Sequence, residues 1–266
     1  MKEFIKRTTT AFFLVLLAYF SIKYLSDPLF SVFLYIIIAV SVYEFIRLTE
    51  PNVLSKFLIY LNGVLVAVSF TFKIISVADV IYISIFSFGL FFLFSIKDAS
   101  KLETFVRDFG IHVLAIVYLF IPLYFIFSLR SLGGNYLIFL FFVIAIGDSG
   151  AYFLGRPFGK HKIYPVASPK KSLEGIISAV ITAGFTGWIS LLLFPIKVNV
   201  YIAVLTAALI GLISQLSDPV ESLFKRASGK KDSGSILPGH GGAFDRVDSY
   251  IFCGPFLYYV IKYFWK

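Results

Sequence analysis

A polar stretch near the end of the chain, residues 222–248, combines cations, carboxylates and glycines within an otherwise apolar sequence. Lys and Arg neutralise phosphate oxygens, carboxylates bind a hard cation such as Mg²⁺, and glycine amides approach an anion closely. A solvated basic loop between two helices would have a similar composition, but the order His-Gly-Gly followed by Asp-Arg-x-Asp favours a phosphate and metal site. The residues that could perform this chemistry are Ser222, Lys225, Arg226, Lys231, His240, Gly241, Gly242, Asp245, Arg246 and Asp248.

The segment before this stretch carries polar side chains three or four residues apart, so on a helix they share one face. Pro219 has no amide hydrogen, and the carbonyl of Gln215 therefore loses its helical partner. A free carbonyl beside Asp218 would be a further oxygen ligand for a cation. The alternative is a proline kink whose polar stripe packs against another helix. The residues of this face are Ser214, Asp218, Glu221, Ser222 and Lys225.

A second polar group begins with Asp148 inside an apolar segment and continues through a basic loop. A carboxylate at membrane depth is costly and is therefore a functional candidate. In the loop, Ser168 before Pro169 predicts a helix start with a serine cap, where backbone amides and lysines would bind a triphosphate. A merely basic loop would explain the lysines but not Asp148. The candidate substrate-binding residues of this group are Asp148, Lys160, Ser168, Lys170, Lys171 and Glu174.

The composition places both groups in an integral membrane protein. The 266 residues are 59% hydrophobic and only 15% charged, with a mean hydropathy of +0.89, whereas soluble domains are about 45–50% apolar and about 25% charged. Because a helix needs roughly 20 apolar residues to cross a bilayer, we predict an all-α, polytopic fold with about nine transmembrane helices. The predicted spans are approximately residues 8–25, 28–48, 53–72, 77–96, 104–129, 135–154, 173–194, 198–223 and 249–264.

The charge distribution predicts how these spans are oriented. With the N-terminus and the loops after even-numbered spans on one side, that side carries 18 of the 24 Lys and Arg residues. The positive-inside rule makes it the cytoplasmic side of a plasma (inner) membrane. The net charge of +9 then indicates contact with anionic lipid and no nucleic-acid partner. The single cysteine, Cys253, excludes an intrachain disulfide.

The chemistry is unevenly distributed along the chain. Residues 1–130 are predicted to form mainly scaffold helices, and residues 131–266 a catalytic region with cytoplasmic loops. Within the first part, Glu44 and Arg47 are expected to pair on one helix face, and His112 is expected to be a packing residue.

The C-terminal half resembles the phosphatidate cytidylyltransferase family, whose members make CDP-diacylglycerol. The loop around residues 155–175 also looks like the nucleotide-facing loop of that family. Ala243 departs from the pattern, because a larger aliphatic residue is expected there. The matching order is Ser222-x-Phe224-Lys225-Arg226, Lys231-Asp232-x-Gly234, Leu237-Pro238-x-His240-Gly241-Gly242 and Asp245-Arg246-Val247-Asp248.

The resemblance implies an enzyme whose substrates are CTP and phosphatidic acid. Asp218 and Asp245 are expected to hold Mg²⁺, with a second cation left open and with Asp148 or Asp248 beside them. The lipid phosphate would attack the α-phosphorus of CTP in line, and positioning and charge stabilisation would supply most of the rate. His240 would donate to a phosphate or orient the glycine turn. The cations expected to offset the phosphate charge are Lys170, Lys171, Lys225, Arg226, Lys231 and Arg246.

Two other functions remain open at this point. A CTP-dependent polyprenol or lipid kinase would use a similar membrane site but transfer the γ-phosphate. An ion-coupled transporter would also place carboxylates and a proline-broken helix near the membrane interior, although here the polar groups gather toward one face. The sequence is also compatible with a homodimer.

Overall fold

The structure, a computed structural model, describes residues 2–72, 76–95, 102–236 and 241–265, and nearly all of them are helical. This confirms the predicted all-α class. A π-helical turn, Ile116–Phe120, joins the helices Leu102–Ala115 and Ile121–Leu132, and the only strands among the described residues form one small hairpin. The elements are α1 (Lys2–Tyr24), α2 (Asp27–Thr49), α3 (Val53–Phe72), α4 (Val77–Ser95), α5 (Leu102–Ala115), α6 (Ile121–Leu132), α7 (Gly134–Phe158), β1 (Lys162–Tyr164), β2 (Ser168–Ser172), α8 (Leu173–Leu193), α9 (Val200–Ala227) and α10 (Phe244–Phe264).

Six helical segments of the described chain are long and apolar enough to cross a membrane. They lie in α2, α3, the α5–α6 unit, α7, α8 and α9. Helices α1 and α4 contain shorter apolar segments, Phe13–Tyr24 and Ala78–Phe94. A multi-pass membrane protein is thereby confirmed, while the count of about nine crossings stays a prediction.

Small residues bring α7, α8 and α9 into close contact. A Cβ atom added at Gly155 would lie 2.7 Å from the Cα atom of Gly175, and one added at Gly211 would lie 2.9 Å from the carbonyl oxygen of Ala179. Glycine permits this because helix backbones can approach where no side chain separates them. The packing sets Asp148 on α7 beside α9, which carries Asp218.

Helix α10 begins at Phe244, several residues before the predicted span. Asp245 and Asp248 therefore lie on the first turns of a helix and not in the preceding loop. The start is anchored by Phe244, which is fully buried and packs edge-on against Phe45 of α2 with ring centroids 6.0 Å apart. Burial of this ring explains why the helix extends to Phe244.

The predicted helix start at Ser168 is wrong. Ser168 begins strand β2, which pairs antiparallel with β1, with Tyr164 opposite Ser168 and Lys162 opposite Ser172. The N-cap of α8 is Ser172, whose hydroxyl oxygen accepts a hydrogen bond from the Gly175 amide at 3.3 Å. Pairing with β1 holds residues 168–172 extended, and the helix can start only where that pairing ends.

Candidate functional site

The first part of the site joins α7 to α9 through Asp148. The side-chain amide of Gln215 donates to the Asp148 carboxylate at 2.7 Å, and the Ser214 hydroxyl lies 3.1 Å from the same oxygen. Ser214 also lies 3.1 Å from the hydroxyl oxygen of Ser249 on α10. Three helices thus contribute to one hydrogen-bonded group around a carboxylate.

The second part places a lysine between the hairpin and α9. Lys171 Nζ lies 2.8 Å from Asp218 Oδ2 and donates to the Gln215 carbonyl at 3.0 Å. That carbonyl is the one that Pro219 cannot bond, so a lysine ammonium occupies the position at which the sequence predicts a cation. The other Asp218 oxygen accepts from Ser249 at 3.0 Å.

The third part centres on Asp245, at the start of α10. Lys225 Nζ lies 2.8 Å from Asp245 Oδ1, and the Gly242 amide donates to Oδ2 at 2.8 Å. The Ser233 amide donates at 3.2 Å. Burial raises the pKa of Asp245, but the bonds from Lys225 and the two amides outweigh it and hold the pKa below its ordinary value. Asp245 therefore contacts Lys225 and the two amides as a carboxylate.

Glycine is required in the turn that leads to Asp245. Gly241 adopts φ 81°, a left-handed conformation. A Cβ atom at this position would also lie 2.6 Å from Asp245 Oδ2. The turn can approach the carboxylate this closely only without a side chain.

A carboxylate from the N-terminal part of the chain also reaches this region. Glu44 on α2 is fully buried and accepts from the Ser233 hydroxyl at 3.0 Å and the Phe244 amide at 2.8 Å. The predicted pairing of Glu44 with Arg47 is wrong: the Arg47 guanidinium lies over the Tyr43 ring instead. Buried donors at a helix start hold the carboxylate more strongly than an exposed guanidinium would. The signal that could have identified Glu44 is a charge inside an apolar helix.

The carboxylates of the site have the donor chemistry that a hard cation requires. Asp248 interacts electrostatically with Asp218, Glu221 and Asp148, and Lys225 forms ion pairs with both Glu221 and Asp245. Carboxylates outnumber the lysines that contact them, and oxygen ligands suit Mg²⁺. Among the described residues, however, no three His, Cys, Asp or Glu side chains form a ready metal-binding group.

Asp218 and Asp245 are each held by a different lysine. Their joint role as metal ligands stays a prediction. The carboxylates of the site fit a divalent cation by charge and by donor type, since each of them offers oxygen.

The remaining predicted site residues differ in burial, and most of them lie at the surface. Glu174 is half-buried and its carboxylate lies 2.6 Å from His161 Nδ1. Arg226 donates to the carbonyl of Lys230 at 3.3 Å.

Ser222 and Ser168 are half-buried, and His240 lies outside the described residues. The side chains exposed on the surface are those of Lys160, Lys170, Arg226, Lys231 and Arg246.

Two contributors to the site carry no distinguishing signal in the sequence. Ser249 links Ser214 to Asp218, but serine is common in helices. Tyr118 lies in the π-helical turn, is 6% exposed, and interacts electrostatically with Asp248 and other carboxylates of the cluster. Only the helix packing brings these two residues to the carboxylates.

Several known proteins are similar to this chain in sequence. A model of the cytidylyltransferase family matches residues 5–264. Similar curated proteins named phosphatidate cytidylyltransferase occur in Staphylococcus haemolyticus and Staphylococcus aureus, both 38% identical over 167 residues, and in Staphylococcus saprophyticus, 37% identical over 167 residues. In each case the match covers 63% of this chain and 64% of the relative, slightly less than two thirds of its length.

Proposed function

Since the chain belongs to the cytidylyltransferase family, we propose that it transfers the cytidylyl group of CTP to phosphatidic acid. The products are CDP-diacylglycerol and pyrophosphate. The relatives named phosphatidate cytidylyltransferase support this choice of substrates. The observation that carries the proposal is two ion pairs, Lys171 with Asp218 and Lys225 with Asp245. Between them they connect the hairpin and α10 to α9.

The proposed step is an in-line displacement at the α-phosphorus of CTP. A phosphate oxygen of phosphatidic acid forms a bond to this phosphorus while the bond to the oxygen bridging the α- and β-phosphates breaks. Pyrophosphate takes the electron pair of the broken bond and leaves. The lipid phosphate is already an anion, so the protein has mainly to position the reactants and stabilise charge.

The chain's own side chains supply that positioning. The ammonium groups of Lys171 and Lys225 lie within the carboxylate cluster, where phosphate oxygens would compete for them. The Gly241–Gly242 turn offers backbone amides without side chains that would block an anion. The exposed Lys170, Arg226, Lys231 and Arg246 add positive charge near the nucleotide.

We propose Mg²⁺ as the cofactor, held by Asp218 and Asp245 with Asp148 or Asp248 beside them. When bound, a divalent cation neutralises phosphate charge and orients the leaving group. The excess of carboxylates over lysines in the site supports this assignment. A second cation is compatible with the same excess.

We place the site on the cytoplasmic side of the plasma (inner) membrane, with the N-terminus on the same side. The charge distribution supports this orientation. The lipid would keep its acyl chains in the hydrocarbon while its headgroup reaches the ends of α7, α9 and α10.

The test is to incubate the purified protein with Mg²⁺, phosphatidic acid and CTP labelled separately at the α- and γ-phosphates. We expect α-label in a CDP-lipid and γ-label in pyrophosphate. γ-Label in a phosphorylated lipid, with CDP released, would instead identify a kinase, and no lipid product would refute both. Removal of divalent cations should stop turnover, and addition of Mg²⁺ should restore it.

Two substitutions test the assignment of the carboxylates. Asp218→Asn and Asp245→Asn should each lower turnover by about 100-fold or more. Each substitution removes a negative carboxylate charge proposed to hold the Mg²⁺ that stabilises the phosphate charge during transfer. Asp79→Asn is a matched control, because its carboxylate is exposed and bonds only Ser76 among the contacts described. Near-normal turnover in either site variant would contradict the assignment.

A further inference from the structure

Glu44 is 0% exposed, as Glu221 is, but unlike Glu221 it comes from α2, remote in sequence from the motifs of the site. Its Oε2 atom receives two hydrogen bonds, from the Ser233 hydroxyl at 3.0 Å and from the Phe244 amide at 2.8 Å. One carboxylate oxygen therefore holds both described ends of the loop, residues 233–236 and 241–244. A bond from a backbone amide to a carboxylate is among the stronger hydrogen bonds in proteins.

The loop is shaped to fit around this carboxylate. A Cβ atom at Gly234 would lie 2.1 Å from Glu44 Oε1, and one at Gly242 would lie 2.3 Å from Oε2. No side chain can occupy either position without moving Glu44. Two glycines of the loop are thus explained by contact with α2, independently of any contact with an anion.

The same loop residues hold Asp245. The Ser233 residue that donates its hydroxyl to Glu44 donates its amide to Asp245, and the Gly242 amide donates to Asp245 as well. Asp245 in turn contacts Lys225 at 2.8 Å. A continuous set of contacts therefore runs from Glu44 through the loop to the carboxylate and the lysine.

We propose that Glu44 is a positioning residue that fixes the loop, and through it Asp245 and the Gly241–Gly242 turn, for binding the phosphates of the nucleotide. This inference rests on the proposed function. It assigns the N-terminal helices a direct part in the site, since without Glu44 the loop would lose the hydrogen bonds that Ser233 and Phe244 donate to α2. Of the hydrogen bonds described between the two, it would keep only the one from the partly exposed Lys230 to the Arg47 carbonyl.

The experiment compares Glu44→Ala, Glu44→Gln and Glu50→Gln in the purified full-length protein, with CTP and phosphatidic acid varied separately. Glu44→Ala removes both hydrogen bonds and should raise the KM for CTP about tenfold or more, with the KM for phosphatidic acid within about twofold of the wild-type value. Glu44→Gln keeps one acceptor oxygen for both donors and should stay within about threefold of the wild type. Glu50, the C-cap residue of α2, has a side chain that is 73% exposed and, among the contacts described, forms only a 3.6 Å surface ion pair with Lys230. Because an exposed ion pair contributes little, its variant should behave as the wild type and controls for loss of charge at this end of α2.

A general packing defect would lower the amount of active protein and hence kcat, and would leave the KM for CTP unchanged. That pattern, or an alanine variant with wild-type kinetics, would overturn the inference.

Hydrogen exchange of the protein without substrates separates this inference from the proposed function. Glu44→Ala should increase exchange in peptides covering residues 229–236 and 241–247, because the Phe244 amide loses its acceptor. Exchange in α7 and α8 should not change. If the wild type makes no CDP-lipid but the loop exchange rises as expected, the proposed function fails and the positioning contact stands. Unchanged loop exchange would refute the contact whatever the activity.

Discussion

Replacing Lys171 by methionine tests whether the hairpin is held to α9 by a single ammonium group. Lys171 contacts Asp218 Oδ2 at 2.8 Å and the Gln215 carbonyl at 3.0 Å. Methionine keeps a similar length and flexibility but removes all the donors. The substitution leaves Asp218 without its ion pair and the Gln215 carbonyl without a replacement donor, because Pro219 has none.

The magnitude follows from burial and from the number of bonds lost. The Lys171 and Asp218 side chains are 18% and 31% exposed, so we take the lower end of the range for a charged hydrogen bond, about 1.5 kcal/mol. The Gln215 carbonyl adds about 1 kcal/mol. Together these correspond to a decrease of roughly 30- to 100-fold in kcat/KM for CTP if the whole loss applies to the transition state.

The assay measures kcat/KM for CTP and the thermal unfolding midpoint of Lys171→Met beside Lys197→Met. Lys197 is exposed in the connection between α8 and α9 and serves as the matched control. We expect a decrease in both quantities for Lys171→Met and no change for Lys197→Met. If both variants gave the same midpoint and the same kcat/KM, the assigned contacts would not exist in solution.

Two further predictions concern packing and topology. Gly211→Ala should destabilise the fold by about 1–3 kcal/mol, because its Cβ atom would lie 2.6 Å from the Cβ atom of Ala183. The control Gly110→Ala, whose Cβ atom would have nothing within 4 Å, should be neutral or stabilising by up to about 1 kcal/mol. Equal thermal unfolding midpoints for the two variants would contradict the close packing of α8 and α9. In a Cys253→Ala background, single cysteines replacing Lys162 and Lys197 should react with a membrane-impermeant thiol reagent from opposite sides of sealed vesicles, and labelling of both from one side would contradict the predicted orientation.

The sequence was sufficient for the properties that depend on composition and on local spacing. Long apolar segments require helices in lipid, so the all-α membrane class follows without any knowledge of packing. The polar face of α9 is also local, since residues three or four apart share one side of a helix. The order of residues from Ser222 to Asp248 was specific enough to indicate the family.

What the sequence could not supply is the choice among residues of the same type. Lys170 and Lys171 are adjacent and chemically identical, yet Lys170 is exposed and Lys171 contacts Asp218, because neighbouring residues of a strand point to opposite faces. The helix start expected at Ser168 is a strand, because pairing with β1 overrides the local serine-proline signal.

Glu44 gives the clearest case of a decision made by tertiary structure. In sequence its nearest cationic partner is Arg47, three residues away, but its hydrogen-bond donors are Ser233 and the Phe244 amide, about 190–200 residues away. The apolar composition determined that this charge would need a buried partner. Which partner it found depended on the packing of α2 against α9 and α10, and contacts between segments so distant in the chain have no local pattern from which they could be predicted.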